Sequence, residues 1–169
     1  YVDGRSGCMS SVIRGDDNFD TGVNGKLLQA RTFSLAGSAQ NTTQATWFDT
    51  GVSIAVTPVS ANSILLVHCS HSVGIVAGSS HQRIDFRVIE SGGTEVYRYD
   101  FLGRDGSGGG LITRNVGGSG VFVNSDLNAK TFKAQIQKAA GNSSETGSIY
   151  YRWYTGAVHT ITVLEIDAS

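Results

Sequence analysis

The side chains best equipped for chemistry are four histidines, two cysteines and a band of aromatic residues toward the C-terminal end. The histidines are His68, His71, His81 and His159. On an extended strand His68 and His71 point to opposite faces, so they do not form a two-ligand clamp within one chain. A zinc centre wants three convergent ligands and an open position, and the spacing offers neither. Histidines from several copies could meet only on a symmetry axis, so ordinary hydrogen-bonded or surface roles are expected. Cys8 and Cys69 lie far apart and do not define a disulfide framework. Both are expected as free thiols, Cys69 acting as a small hydrophobe in a buried strand. No Gly-x-Ser-x-Gly elbow, P-loop or dinucleotide fingerprint occurs. Residues 106–110 are glycine-rich but lack the lysine and following helix of a phosphate cradle. The carboxylates are scattered, with no pair suited to glycoside cleavage. The expectation is a protein without catalytic residues, metal ligands or cofactors.

Binding chemistry is easier to support. Sugars are gripped by aromatic faces stacked on their C–H groups, helped by a few polar donors. Tyr97, Tyr99, Tyr150, Arg152, Trp153 and Tyr154 are candidates of that kind. The competing reading is structural, since strand tyrosines commonly pack across a sheet or at a subunit contact. Residues 103–120 hold eight glycines together with Arg104, Asp105, Arg114 and Asn115. Long loops in compact domains tend to carry function, so this stretch reads as a distal contact loop. Asp16, Asn18 and Asp20 are spaced like the start of a calcium loop, but the glycine comes one place late, at Gly22, and no acid stands at the twelfth position. A solvated turn is the better account, and chance explains Arg14-Gly15-Asp16. Asn41-Thr42-Thr43 and Asn142-Ser143-Ser144 are formal glycosylation sites with no sign of a secretory route.

The elements that must position these residues are strands. Residues 47–75 organise the chain. Phe48, Val52, Ile54 and Val56 fall on one parity while Asp49, Ser53 and Thr57 do not, which marks a half-buried strand. Pro58 stops the ladder because it has no N–H to donate, and residues 60–63 are turn chemistry. Ile64, Leu65, Leu66 and Val67 are apolar on both parities, so the next strand should be covered on both faces. The pattern predicts a core hairpin. Residues 26–35 read as another strand, and 37–44 as a polar loop. Residues 82–89 put Ile84, Phe86 and Val88 inward, and Arg83, Asp85 and Arg87 on a self-compensating outer face that could also be a subunit contact. Residues 91–94 form a hairpin turn, because Gly92-Gly93 supplies the positive φ it needs. The return strand at 95–101 places Tyr97, Tyr99 and Phe101 on one face. A further strand is expected from Val121. Residues 131–138 put Phe132, Ala134 and Ile136 inward, and 148–154 and 158–166 complete the set. No segment has a helical period with caps. About nine strands at hairpin spacing predict an all-β, antiparallel, jelly-roll-like sandwich.

The bulk properties agree with one domain. The chain has 169 residues, 40% hydrophobic content, 22 glycines and one proline. That suits a globular core with many tight turns rather than collagen or a linker. A formal charge of −1 lacks the basic stripe that phosphate neutralisation needs, which argues against nucleic acid as a partner. No run of about 18 apolar residues exists for membrane insertion. Residues 1–24 lack a hydrophobic period and read as an extended arm or connector, ahead of a sandwich at 25–169. The chain starts at Tyr1, as a fragment or processed form would.

Three phrases are similar to a known group: Gly25-Lys26-Leu27-Leu28-Gln29; the run from Phe48-Asp49-Thr50-Gly51-Val52 through Thr57-Pro58 to Ser60-Ala61-Asn62-Ser63-Ile64-Leu65; and the closing Thr162-Val163-Leu164-Glu165-Ile166. Together they resemble the C-terminal domains of tail-fibre and related attachment proteins of bacteriophages, notably those of marine and cyanobacterial hosts. The likeness covers roughly residues 25–166, and its signature is structural rather than catalytic. Ile64 stands where the group usually has a lysine. The resemblance implies a non-enzymatic virion protein, a homotrimer whose distal loops contact a host surface glycan or protein. Its N-terminal arm would join other tail or capsid proteins, and Ile64 to Val67 could serve a core and a subunit interface. A capsid decoration or tail adaptor protein is a second expectation, and a monomeric lectin module a third.

Overall fold

The computed structural model describes residues 25–36, 40–42, 46–76, 82–103, 111–138, 148–151 and 158–168. The strands are β1 (Leu27–Ala36), β2 (Gln40–Thr42), β3 (Phe48–Val56), β4 (Ser63–Val76), β5 (Gln82–Glu90), β6 (Glu95–Gly103), β7 (Leu111–Val123), β8 (Lys130–Lys138), β9 (Ser148–Tyr151) and β10 (Val158–Asp167). Eight of them make two antiparallel layers, ordered β1-β10-β4-β7 and β3-β8-β5-β6. The short β2 and β9 pair with each other, and β9 continues along β4 beyond the end of β10. Two four-stranded layers in this order are a jelly roll, so the expected class holds with eight principal strands and two short ones in place of about nine.

Alternation builds the core. Val52, Ile54 and Val56 of β3, Ile84, Phe86 and Val88 of β5, and Phe132, Ala134 and Ile136 of β8 all turn inward and are buried. Leu65 and Val67 of β4 meet them from the other layer, with Ile161 and Val163 of β10. Phe122 packs edge-on to Phe132 at 5.5 Å between ring centroids, and Phe86 packs the same way on Tyr97 at 6.0 Å. Each fully buried side chain of this size contributes roughly 1.5–3 kcal/mol. The β5–β6 hairpin turns as expected. Gly93 sits at φ +99°, and its N–H bonds the Glu90 carbonyl at 2.8 Å.

Three expectations are corrected. Residues 47–75 are not a hairpin: β3 and β4 lie in different layers, and the Pro58 turn carries the chain across the sandwich. Alternation is a property of one strand and does not say which neighbour it pairs with. Much of the glycine-rich stretch is not a loop. β7 begins at Leu111, and Gly117, Gly118 and Gly120 are strand positions where other backbone or an aromatic ring lies against the chain. A Cβ on Gly120 would stand 2.2 Å from the Val96 carbonyl oxygen, and one on Gly118 would meet the Tyr97 ring. Finally, part of the 37–44 loop is strand β2. The arm at 1–24 and the segments 104–110, 139–147 and 152–157 lie outside the described residues, as do Cys8 and His81.

Candidate functional site

The two outer faces of the sandwich differ in chemistry. On the β1-β10-β4-β7 layer, the registers align Leu27, Ile166, Ile64 and Val123 in one row. Ala30, Leu164, Leu66 and Val121 form the next, and Thr32, Thr162, His68 and Ser119 the third. None of the three rows holds a carboxylate, lysine or arginine. Val123 is 74% exposed, Val121 56% and Leu27 46%. Ile64, Leu66, Leu164 and Ile166 are half-buried. On the strand expected to be covered on both faces, Leu65 and Val67 turn into the core, while Ile64 and Leu66 face outward and are half-buried among the described residues. In the polar row the hydroxyls of Thr32 and Thr162 share a hydrogen bond at 3.0 Å, and His68 Nδ1 shares one with Ser119 Oγ at 3.0 Å.

The β3-β8-β5-β6 layer turns out a charged lattice. Asp49, Gln135, Arg87 and Arg98 align across it, next to Gln137, Asp85 and Asp100. Asp85 is 3% exposed and takes Arg98 Nη2 at 2.9 Å, Gln137 Nε2 at 2.9 Å and Arg83 Nε at 3.2 Å. Burial alone would raise its pKa. The hydrogen bond from Gln137 and the charges of Arg83 and Arg98 outweigh it, holding the carboxyl below its ordinary value. Arg83 also pairs with Asp100, and Arg87 with Glu95 at 3.6 Å. Gln135 accepts from Arg87 Nε at 2.9 Å and donates to Asp49 at 2.6 Å. Over this lattice lies Trp47, its ring centroid 4.0 Å from the Arg87 guanidinium carbon and 5.3 Å from that of Arg98. The Arg-Asp-Arg row was expected to be solvated and to compensate itself; Arg83 does pair with Asp85, but Asp85 is buried and the charges of Arg87 and Asp85 are also met from β6, by Glu95 and Arg98. The tryptophan was not foreseen, because it precedes β3 and belongs to no alternating run.

The interior holds the remaining reactive types. Cys69 is a buried free thiol whose pKa burial pushes up to about 12, so it is protonated and a poor nucleophile at neutral pH. His71 and His159 are buried and 4.5 Å apart between ring centroids, with Phe86 5.7 Å from His71. His159 Nδ1 accepts the Ser72 N–H at 3.1 Å, which leaves that nitrogen unprotonated. Among the described residues no three His, Cys, Asp or Glu side chains are grouped to hold a metal.

The candidate ligand residues scatter. Arg104, Asp105, Arg152, Trp153 and Tyr154 lie outside the described residues, and for Arg114 and Tyr150 only the backbone is described, opposite Val73 and Gly74 of β4. Asn115 is exposed on β7 and Tyr99 is 43% exposed on β6. Tyr97 has the packing role that was the competing reading for the strand tyrosines. It lies against the buried cluster, its hydroxyl has no hydrogen-bond partner among the described residues, and burial pushes its pKa up to about 12.

No protein-family model and no curated protein matches the chain. Similar solved structures include VP2 of infectious bursal disease virus, in derived T=1 particles, at TM-score 0.40 and 12% identity over 83% of this chain and 40% of that one. The Gx strain of that virus gives TM-score 0.37 at 15% identity over 84% and 37%, and the VP2 subviral particle 0.35 at 14% over 83% and 41%. The chain therefore spans about two fifths of the length of those chains. The fold assignment stands on strand order.

Proposed function

We propose that this chain is a non-enzymatic virion structural protein, the head domain of a phage tail fibre, which assembles as a homotrimer and binds a host surface receptor, most simply a glycan. The observation that carries the reading is the contrast between the outer faces. Single exposed apolar side chains are ordinary, but two contiguous rows of them mark an interaction surface. These rows carry no charge, and the polar row beside them satisfies its own hydrogen bonds, so the surface suits an uncharged partner. A second copy of the chain supplies one, and copies around an axis would bury this face while turning the charged lattice outward. Repetition by symmetry then gives avidity to weak individual sites. The resemblance of residues 25–166 to phage attachment domains supports the same assignment, with the 1–24 arm joining other tail or capsid proteins.

Native mass measurement tests the assembly: a three-chain species is expected, and Leu66→Lys should reduce it to single chains that keep their sheet circular dichroism. A wild-type chain that stays single at micromolar concentration refutes it. Labelled trimer applied to cyanobacterial cells tests attachment. A stable trimer that adsorbs to none of them would point instead to a decoration or adaptor protein.

A further inference from the structure

We propose that the outer face of the β3-β8-β5-β6 layer holds a neutral-saccharide site whose platform is Trp47. It deepens the reading above by naming a receptor-binding surface, and rests on that reading only for the face being outward in the assembly.

The register sets Arg87 directly opposite Arg98. Like charges in that position repel across a sheet. Trp47 lies within cation–π distance of both guanidinium groups, 4.0 and 5.3 Å from its ring centroid, which offsets the repulsion and holds the indole flat against the lattice. Trp47 is nevertheless not fully buried. An aromatic side chain held in this way suits the stacking of sugar C–H groups. Planar polar groups stand beside it. Asp49 and Gln135 are joined at 2.6 Å, Lys133 lies 3.4 Å from Asp49, and the side chain of Asp49 is 51% exposed. Carboxylate, amide and ammonium together can accept from and donate to neighbouring hydroxyls. Their mutual hydrogen bonds hold them in place before binding, so little side-chain freedom remains to be lost.

The charge balance selects the ligand class. Arg83, Arg87, Arg98 and Lys133 face Asp49, Asp85, Glu95 and Asp100, each cation within 4.0 Å of at least one carboxylate. A polyanionic ligand would have to break these pairs, whereas a neutral sugar adds hydrogen bonds without displacing a counter-charge.

The test is titration with neutral hexasaccharides of glucose, galactose and mannose, read by tryptophan fluorescence. The chain has two tryptophans, so Trp153→Phe isolates the signal of Trp47. Saturable binding by at least one probe is expected; isothermal titration calorimetry, which needs no tryptophan signal, should show it lost in Trp47→Ala and weakened about tenfold in Gln135→Ala, which keeps the platform. Circular dichroism and native mass of both variants separate loss of the site from loss of fold or assembly. Repeating the titration on single-chain Leu66→Lys keeps the site and the trimer independent: per-chain affinity should not change. No saturable response to any probe at about 10 mM overturns the site. Undiminished binding in Trp47→Ala overturns the platform, and tighter binding of hexagalacturonate than of the galactose hexamer overturns the neutral class.

Discussion

Glu165 is the residue whose removal tests most about how this fold closes. Its side chain is fully buried at the inward face of β10. Its carboxylate accepts the Val59 N–H at 2.9 Å, the Ser60 N–H at 3.0 Å and Gln29 Nε2 at 2.5 Å. Gln29 also donates to the Thr57 carbonyl at 2.8 Å. One side chain thus ties β10 and β1 to the turn that carries β3 across to β4. In Glu165→Ala three donors lose their acceptor. At about 1–3 kcal/mol for each buried group left unsatisfied, with some regained by water, the expected loss is about 3–5 kcal/mol, a large part of a typical domain's total. Glu165→Gln keeps one acceptor oxygen but turns an amide N–H toward a backbone N–H, so about 2 kcal/mol is expected. The pH dependence has a definite sign. Burial would raise this carboxyl's pKa, but the bonds from Gln29, Ser60 and Val59 outweigh it and hold the pKa below the ordinary glutamate value. A depressed folded-state pKa gives stability that is fully present above the unfolded value and lost as pH falls through the folded one. Urea unfolding followed by circular dichroism at pH 7 and at several values below about pH 5 reads both effects. Wild type should lose stability more steeply with acid than Glu165→Gln, and the two midpoints should converge. Asp85 titrates in the same direction in both chains, so the difference between them is the measurement. A midpoint for Glu165→Gln within about 0.5 kcal/mol of wild type, with the same acid slope, would refute the account.

Gly120→Ala should destabilise by about 1–3 kcal/mol, because the new methyl meets the backbone carbonyl of Val96 rather than a flexible side chain; the urea midpoint measures it. Val121→Lys should disperse the proposed trimer on sedimentation while single chains keep their sheet circular dichroism, since Val121 is 56% exposed; a trimer that survives the substitution would contradict the assigned interface. In a Cys8→Ser chain the remaining thiol, Cys69, should resist iodoacetamide at pH 8 until denaturant is added, as its burial and raised pKa require; rapid labelling of the folded chain would contradict both.

Much of the fold was legible before any coordinates. The buried sets of β3, β5 and β8 follow from period-two alternation, which is local: each side chain's face is set by its own backbone. The Gly93 turn was equally plain, because its positive φ is a property of that residue. Partnership was not legible. Whether β3 runs beside β4 or crosses to the other layer depends on contacts distant in sequence, and a Pro/Ser/Asn turn serves either outcome. The same limit hid the site. Trp47 gains meaning only when β5 and β6 bring Arg87 and Arg98 beneath it, and Glu165 reads as a surface acid until the β3–β4 turn delivers its N–H groups. The glycines of β7 look like loop until β6 is laid against them. Sequence alone determined where most of the alternating strands run and which of their residues share a face, because backbone pleat and side-chain type decide that residue by residue. Only the tertiary structure decided which strands meet, and so which apolar rows stay uncovered and which charges share a ring, because those depend on backbone brought together from distant parts of the chain.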